Sequence, residues 1–231
     1  MKLSFVIPAW NEEKLLGATI TSILQSAQNY EFEIIVADDA SDDRTPDIAR
    51  EMGATVVTCN NRQIGLTRND GAAAATGDVL IFVDADTIVT PLVVAETVEA
   101  IQNGAVAGGS FPCFEENTPF LEKCLTPVIK WTFYFLHLAA GAYMFCTRDA
   151  FETAGGFNEK FYAAEEVHLS KALHKCGRFK TIKSRVVTSG RKFKSHSSFQ
   201  ILMTLFLVSI PGIRSIHKRK DLWYGDRKQD E

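Results

Sequence analysis

Four short apolar runs, at residues 3–7, 33–37, 55–57 and 79–83, alternate with four stretches of helical character at 13–28, 44–52, 66–75 and 92–102. Runs without polar alternation are buried on both faces, and strands separated by crossover helices pair in parallel. The order predicts an α/β domain with a mostly parallel central sheet flanked by helices. With 231 residues, 46% of them hydrophobic, the chain can bury one full core. No repeat or Pro/Gly/Ser-rich linker divides it. The expected organisation is one domain over residues 1–195 and an apolar, basic helical appendage over 196–231.

In sheets of this kind ligands sit at the carboxyl ends of the strands. Polar clusters fall at those ends: Pro8-Ala9-Trp10-Asn11-Glu12 after the first run, Asp38-Asp39-Ala40-Ser41-Asp42-Asp43 after the second, Asp84-Ala85-Asp86 after the fourth. Two carboxylates fixed at a strand end suit Mg2+ or Mn2+, which retain waters and take further ligands from substrate phosphates. That points to a nucleotide diphosphate as substrate, although Asp-x-Asp alone is as readily a turn. The Asp38 cluster either caps the helix that opens at Arg44-Thr45-Pro46 or binds a nucleoside through its first acids. Arg68 is either a salt-bridged helix residue or a guanidinium that reaches base or diphosphate.

In the second half, Gly141 to Phe145 reads as a strand. Gly155-Gly156-Phe157-Asn158 reads as a tight loop, a helix C-cap and a close backbone approach to a ligand being compatible accounts of it. Further on, Leu169, Ala172, Leu173 and Cys176 follow the spacing of a buried helical face, and stepping back from Leu169 reaches Glu166 and Glu165. Both acids therefore open the inward face at a helix N-terminus, as dipole partners or as a catalytic base.

Charge is uneven along the chain. Residues 1–150 hold 9 Lys/Arg against 20 Asp/Glu, and residues 151–231 hold 16 against 8. Thirteen basic residues and no acidic one lie between Lys171 and Lys220. This is a solvated basic face or a surface for anionic lipid or polyphosphate; nucleic acid is not the expected partner. Five cysteines without a Cys-x-x-Cys pair fit a reducing compartment. The apolar stretches at 127–140 and 199–210 are short of the about 18 residues that span a bilayer. The second, followed by Arg214, His217, Lys218, Arg219 and Lys220, reads as an interfacial helix or as a core or dimer helix. A cytoplasmic protein, peripheral on the membrane, is expected.

Taken in order, the blocks from Val6 to Glu13, Asp38 to Asp43, Gly65-Leu66-Thr67-Arg68-Asn69, Asp84-Ala85-Asp86 and Gly155-Gly156-Phe157 resemble family 2 glycosyltransferases, over roughly residues 3–195. The resemblance implies the GT-A fold, a nucleotide-sugar donor (UDP-sugar ahead of GDP-sugar), a hydroxyl acceptor, plausibly lipid-linked, and inversion at the anomeric carbon. It places nucleotide-sugar contacts at Pro8, Ala9, Asn11, Glu12, Asp38, Asp39, Arg68, Asp84, Ala85, Asp86 and Arg191, and a Mn2+ or Mg2+ ion at Asp84 and Asp86, with His196 a weaker third ligand. It places the sugar and acceptor near Tyr143, Gly155, Gly156 and Phe157. Where the family usually has Glu-Asp, with the Asp as catalytic base, this chain has Glu165-Glu166, so Glu166 is the expected base and Glu165 its neighbour. The Gln-x-x-Arg-Trp signature of processive synthases is missing, which argues for single-sugar transfer. A nucleotidyltransferase should carry a basic loop after the first strand, where only Lys14 is found. A catalytically silent sugar-nucleotide or membrane-binding module is the other alternative.

Overall fold

The computed structural model describes residues 1–114, 141–160 and 165–189. The expectations for Arg191, His196, the two apolar stretches and the 196–231 appendage lie outside these residues. The elements run β1 (Lys2–Ala9), α1 (Leu16–Ala27), β2 (Glu31–Asp38), α2 (Thr45–Glu51), β3 (Thr55–Thr58), α3 (Ile64–Ala74), β4 (Val79–Val83), β5 (Thr87–Ile88), α4 (Pro91–Gln102), β6 (Ala105–Gly109), β7 (Pro112–Phe114), β8 (Tyr143–Thr147), α5 (Arg148–Ala154), α6 (Glu165–Cys176), β9 (Arg178–Thr181) and β10 (Val186–Thr188).

A seven-stranded sheet has the order β3-β2-β1-β4-β8-β6-β9. The βα units of the first half give parallel pairs β3-β2, β2-β1 and β1-β4, as the alternation predicted. The second half departs from that pattern: β8 runs antiparallel between β4 and β6, and β9 joins β6 in parallel. The strands bury both faces. Leu3, Phe5 and Ile7 of β1 enter one apolar cluster with α1 and α4, while Val6 enters a second with α5 and α6. That period of two is the pleat of a strand covered on both sides.

Pro8 is tolerated in a central strand because β1 pairs with β4 only over Leu3 to Val6, so the missing N–H lies beyond that ladder. The first helix starts at Leu16, three residues later than the pattern suggested, because residues 11–13 are drawn into contacts with the loop after β2. A small second sheet, β5-β10-β7, sits beyond the end of β4. It brings residues 186–189 against the Asp84-Ala85-Asp86 turn, a pairing of segments about a hundred residues apart that no local pattern encodes.

Candidate active site

The loops after β1 and β2 are stitched together. Asn11 N–H donates to Ser41 Oγ at 2.9 Å, Asn11 Nδ2 donates to Asp42 at 2.7 Å, and Glu12 N–H donates to Thr45 Oγ1 at 2.7 Å. Asp43 accepts from the N–H groups of Thr45 and Glu13. The N-cap residue of α2 is Arg44, without a side-chain cap bond; Asp43, just before it, bonds the Thr45 N–H, while Ser41 and Asp42 bind the neighbouring loop.

Asp38 and Asp39 are both buried. Asp39 Oδ1 accepts the N–H groups of Asn61 at 2.6 Å and Arg62 at 3.2 Å, fixing the loop after β3. Asp38 Oδ2 has a long contact of 3.4 Å from Ser41 N–H, and Asp38 Oδ1 is buried with no hydrogen-bond partner. An orphaned carboxylate oxygen costs free energy unless a ligand donor completes it.

Three non-glycine residues here adopt left-handed backbone: Asn11 (φ 53), Ala40 (φ 56) and Arg62 (φ 48), one in each loop after β1, β2 and β3. Strain of this kind, of order 1–3 kcal/mol per residue, persists where surrounding bonds over-determine it, and it concentrates at functional sites. Arg62 lies over the Trp10 ring at 4.4 Å.

The second part of the site is built on Arg68, projected from α3 and 2% exposed. Its Nη2 donates to Asp84 Oδ1 at 2.8 Å and to the Gly141 carbonyl at 3.3 Å, and its Nη1 donates to Glu165 Oε1 at 2.9 Å. The salt-bridged account of Arg68 is the one observed. Burial alone would favour loss of its proton; Asp84 and then Glu165 outweigh that and hold the guanidinium above its ordinary pKa. Phe157 supports it from below, with the guanidinium carbon 5.3 Å from the ring centre.

Asp86, on the same turn as Asp84, accepts from Thr188 Oγ1 at 3.2 Å and Ser189 Oγ at 3.0 Å. Ala85 between them is buried, and its carbonyl accepts from Thr19 Oγ1, so the turn is held from beneath. Glu165 is buried and Glu166 half-buried at the start of α6. Burial first, then the Glu165 carboxylate, push the Glu166 carboxyl up to about 8, with Arg68 pulling the other way. A Cβ at position 141 would stand 3.4 Å from Arg68 Nη2 and 3.8 Å from the Glu166 carboxyl, and one at 65 would stand 3.4 Å from Glu165 and Phe157, so helix and loop converge at both glycines within ordinary contact distance.

On the expected acceptor side, the placement of Tyr143 departs from the expectation, and Phe157 and the glycine pair take the structural part of theirs. Tyr143 does not face the crevice: it is fully buried on the α4 side of β8, its hydroxyl 3.0 Å from Thr97 Oγ1, and burial pushes its phenol upward. The alternation along β8 turns that position into the core. Phe157 is likewise a core residue, packed edge-on against Phe82. Gly155 (φ 80) and Gly156 (φ 68) close α5, accepting the C-cap account; Asn69 of α3 then pins the loop by bonding both the N–H and the carbonyl of Phe157 at 2.9 Å. The sequence reading did not find Gly141, Thr188, Ser189 or Thr19, which bear on the site only through long-range contacts.

The family model for Glycosyl transferase family 2 matches residues 4–157, the span that carries β1, the Asp38 and Asp84 clusters, Arg68 and the glycine loop. The chain belongs to this family. Among relatives, a dolichol-phosphate mannosyltransferase of Pyrococcus furiosus is 34% identical over 139 residues, 54% of this chain and 38% of its own length. A 4,4'-diaponeurosporenoate glycosyltransferase of Staphylococcus haemolyticus is 44% identical over 91 residues, covering 36% of this chain and 24% of its own. The chain thus spans well under half the length of these relatives. Among solved structures, the mannosyltransferase PcManGT from Pyrobaculum calidifontis, in complex with GDP-Man and Mn2+, matches 89% of this chain and 60% of its own with a TM-score of 0.69 at 19% identity. S. aureus TarS 1-349 in complex with UDP-GlcNAc matches 96% and 70% with a TM-score of 0.66 at 20% identity. The GT-A fold expected for a family 2 glycosyltransferase is the fold observed.

For a family 2 enzyme the test of metal fit is the donor set. Asp84 and Asp86 offer ionised oxygens on one rigid turn, and no group of three or more His, Cys, Asp or Glu residues stands ready to hold an ion among the described residues. Such a set fits Mg2+ or Mn2+ completed by water and substrate oxygens and does not fit a closed structural metal site. Among the described residues no helix is long and apolar enough to cross a membrane.

Proposed function

We propose that this glycosyltransferase transfers a single sugar from a nucleotide-diphosphate sugar to a hydroxyl acceptor with inversion, and that Glu166 is the base. The observation that carries the reading is the Arg68 strut, which ties Asp84 at the end of β4 to Glu165 at the start of α6 and so joins the two segments that carry the acidic pairs. The nucleoside would lie over β1 to β3, where Asp38 Oδ1 awaits a donor N–H or hydroxyl. Asp84 and Asp86 would hold Mn2+ or Mg2+, whose chemistry is to neutralise the departing diphosphate. PcManGT in complex with GDP-Man and Mn2+ lends support to that use of a metal, and TarS in complex with UDP-GlcNAc to a nucleotide-sugar donor.

In the transfer, the acceptor oxygen attacks the anomeric carbon opposite the diphosphate, the bond from that carbon to the diphosphate oxygen breaks, and the acceptor proton passes to a Glu166 carboxylate oxygen. A carboxylate with raised proton affinity is suited to this, since the driving force for proton capture grows with the base's pKa. Arg68 and Glu165 act as positioning residues.

UDP-sugars are the first donors to test, GDP-sugars the second. The Pyrococcus and Staphylococcus relatives, a dolichol-phosphate mannosyltransferase and a 4,4'-diaponeurosporenoate glycosyltransferase, support an acceptor that is lipid-linked. The test is a panel of UDP- and GDP-sugars scored for Mn2+-dependent thermal stabilisation, followed by product analysis, since a ligand that binds only the folded state raises its stability. Stabilisation by none of them would overturn donor binding. Stabilisation without product against any lipid or sugar acceptor would favour a silent binding module.

A further inference from the structure

The sheet order separates charge in space as well as in sequence. Residues 1–114 hold 6 Lys/Arg against 16 Asp/Glu. At the β3 edge, α2 carries exposed Asp47 and Glu51, paired with Arg50 and Arg44, and exposed Asp42 and Asp70 on neighbouring segments supply the remaining negative charge. The opposite edge is β9, six strand spacings or about 30 Å away. There Lys171 and Lys175 of α6, Arg178 and Lys180 of β9, and Lys183 and Arg185 beyond it are all exposed. No acidic residue lies between Val167 and Ser189.

The strand alternates. Phe179 turns inward toward α6, stacking on His174 at 4.5 Å, while Arg178 and Lys180 face the end of α4, where Arg178 Nη1 donates to the Asn103 carbonyl at 3.3 Å. The basic side chains therefore surround the β9 edge from both faces of the sheet. The acids across the cleft from Lys180 are Glu96 and Glu99. Glu96 is engaged by the N–H groups of Lys183 and Ser184 and by the Ser184 hydroxyl, so it serves to hold the turn after β9.

The geometry points to the β9 edge as a docking surface for an anionic lipid bilayer, which orients the enzyme with its acidic β3 edge away from the membrane. The polarity of the molecule supplies the orientation, because a negative surface attracts one edge and repels the other. Lipid is favoured over nucleic acid by the sequence that follows, where the uncharged apolar run at 199–210 between basic residues has a use at a lipid interface and none against phosphate backbone. The proposal rests on the functional reading only for why a membrane is useful, as the source of a lipid-linked acceptor. Its failure would leave donor binding and transfer untouched.

The test is sedimentation of the full chain with vesicles of phosphatidylcholine alone or mixed with phosphatidylglycerol. Binding is expected only to the mixed vesicles, weakening as salt screens the charges. Lys171→Glu, Lys175→Glu, Lys180→Glu and Lys183→Glu together should lower vesicle affinity by roughly tenfold or more. The four Lys→Gln changes should lower it less, with an unchanged melting temperature as the check on folding. Asp47→Lys with Glu51→Lys, on the far edge, should not weaken binding. Undiminished binding by the folded Gln or Glu variants would refute the surface, and so would binding to a nucleic-acid duplex without binding to vesicles.

Discussion

The two ends of the crevice are held by different forces. At the nucleoside end, the loops after β1, β2 and β3 are fixed by hydrogen bonds between backbone N–H groups and short side chains, and much of that network is exposed or half-exposed. At the transfer end, a buried guanidinium joins two carboxylates, with a third close by. Losing one such bond at the first end forfeits about 1–3 kcal/mol, and water can substitute where the network is exposed. Losing one charge at the second leaves its partners buried and uncompensated. On the proposed function, a loop that admits the nucleotide tolerates local bonds, whereas the proposed base Glu166 needs a rigid support.

The sharpest way to break this contrast is Glu166→Gln, which keeps shape and removes proton affinity. Turnover should fall roughly 100- to 10,000-fold with donor affinity little changed. An active Glu166→Gln beside a dead Glu165→Gln would move the base to Glu165. The same variant has a stability signature. A carboxyl raised from its ordinary 4.5 to about 8 holds its proton more tightly folded than unfolded. Wild-type stability should therefore carry a contribution that declines as pH rises from 4.5 through 8, and Glu166→Gln should flatten that decline in denaturant titrations.

Arg68→Met should destabilise by about 3–5 kcal/mol, since it leaves Glu165 buried and Asp84 half-buried without their cation. Denaturant midpoints would show it, and a cost as small as a surface pair's would contradict the strut. Asp86→Ala should abolish the Mn2+ dependence of nucleotide binding while leaving the fold intact, because the pairing of β10 with β5 is made by backbone and by the Thr87–Thr188 hydroxyls rather than by the Asp86 side chain; unchanged Mn2+-dependent UDP binding would remove the metal assignment. Smaller still is Asp38→Asn, which should weaken nucleotide binding by roughly tenfold, the worth of one hydrogen bond to a charged group, and cost no stability at the transfer end.

A control outside both ends is Glu33, at the opposite rim of the sheet. Its burial is outweighed by bonds from Lys2, Ser4 and Thr76, which hold its carboxyl down to about 2. The stability it contributes is present above 4.5 and is lost as pH falls toward 2, so Glu33→Gln should flatten the acid limb of the stability curve and change nothing in transfer.

What the sequence disclosed divides along the same line. Strand β4 was legible to the residue, because five consecutive apolar positions are all buried between neighbours on both sides. The carboxyl-end clusters were legible because strand ends in parallel sheets share one edge. Arg68 could be singled out but not assigned, since its partners Asp84 and Glu165 are 16 and 97 residues away. Tyr143 was misread because an aromatic residue opening a strand beside glycines has two faces available, and only the position of α4 decides between them. The small sheet that fixes Asp86 had no signal, as β5 and β10 are two and three residues long.

The place of β8 has a consequence for the nascent chain. Because β8 lies between β4 and β6, a polypeptide synthesised only as far as residue 114 lacks the strand that covers one side of β4. Val79 to Val83, apolar at every position, then stand at an open edge, the kind of surface on which chains pair with one another. Until Thr147 has left the ribosome the half-made sheet is at its most adhesive, so cuts made between residues 84 and 142 should yield insoluble fragments where the intact chain stays dispersed.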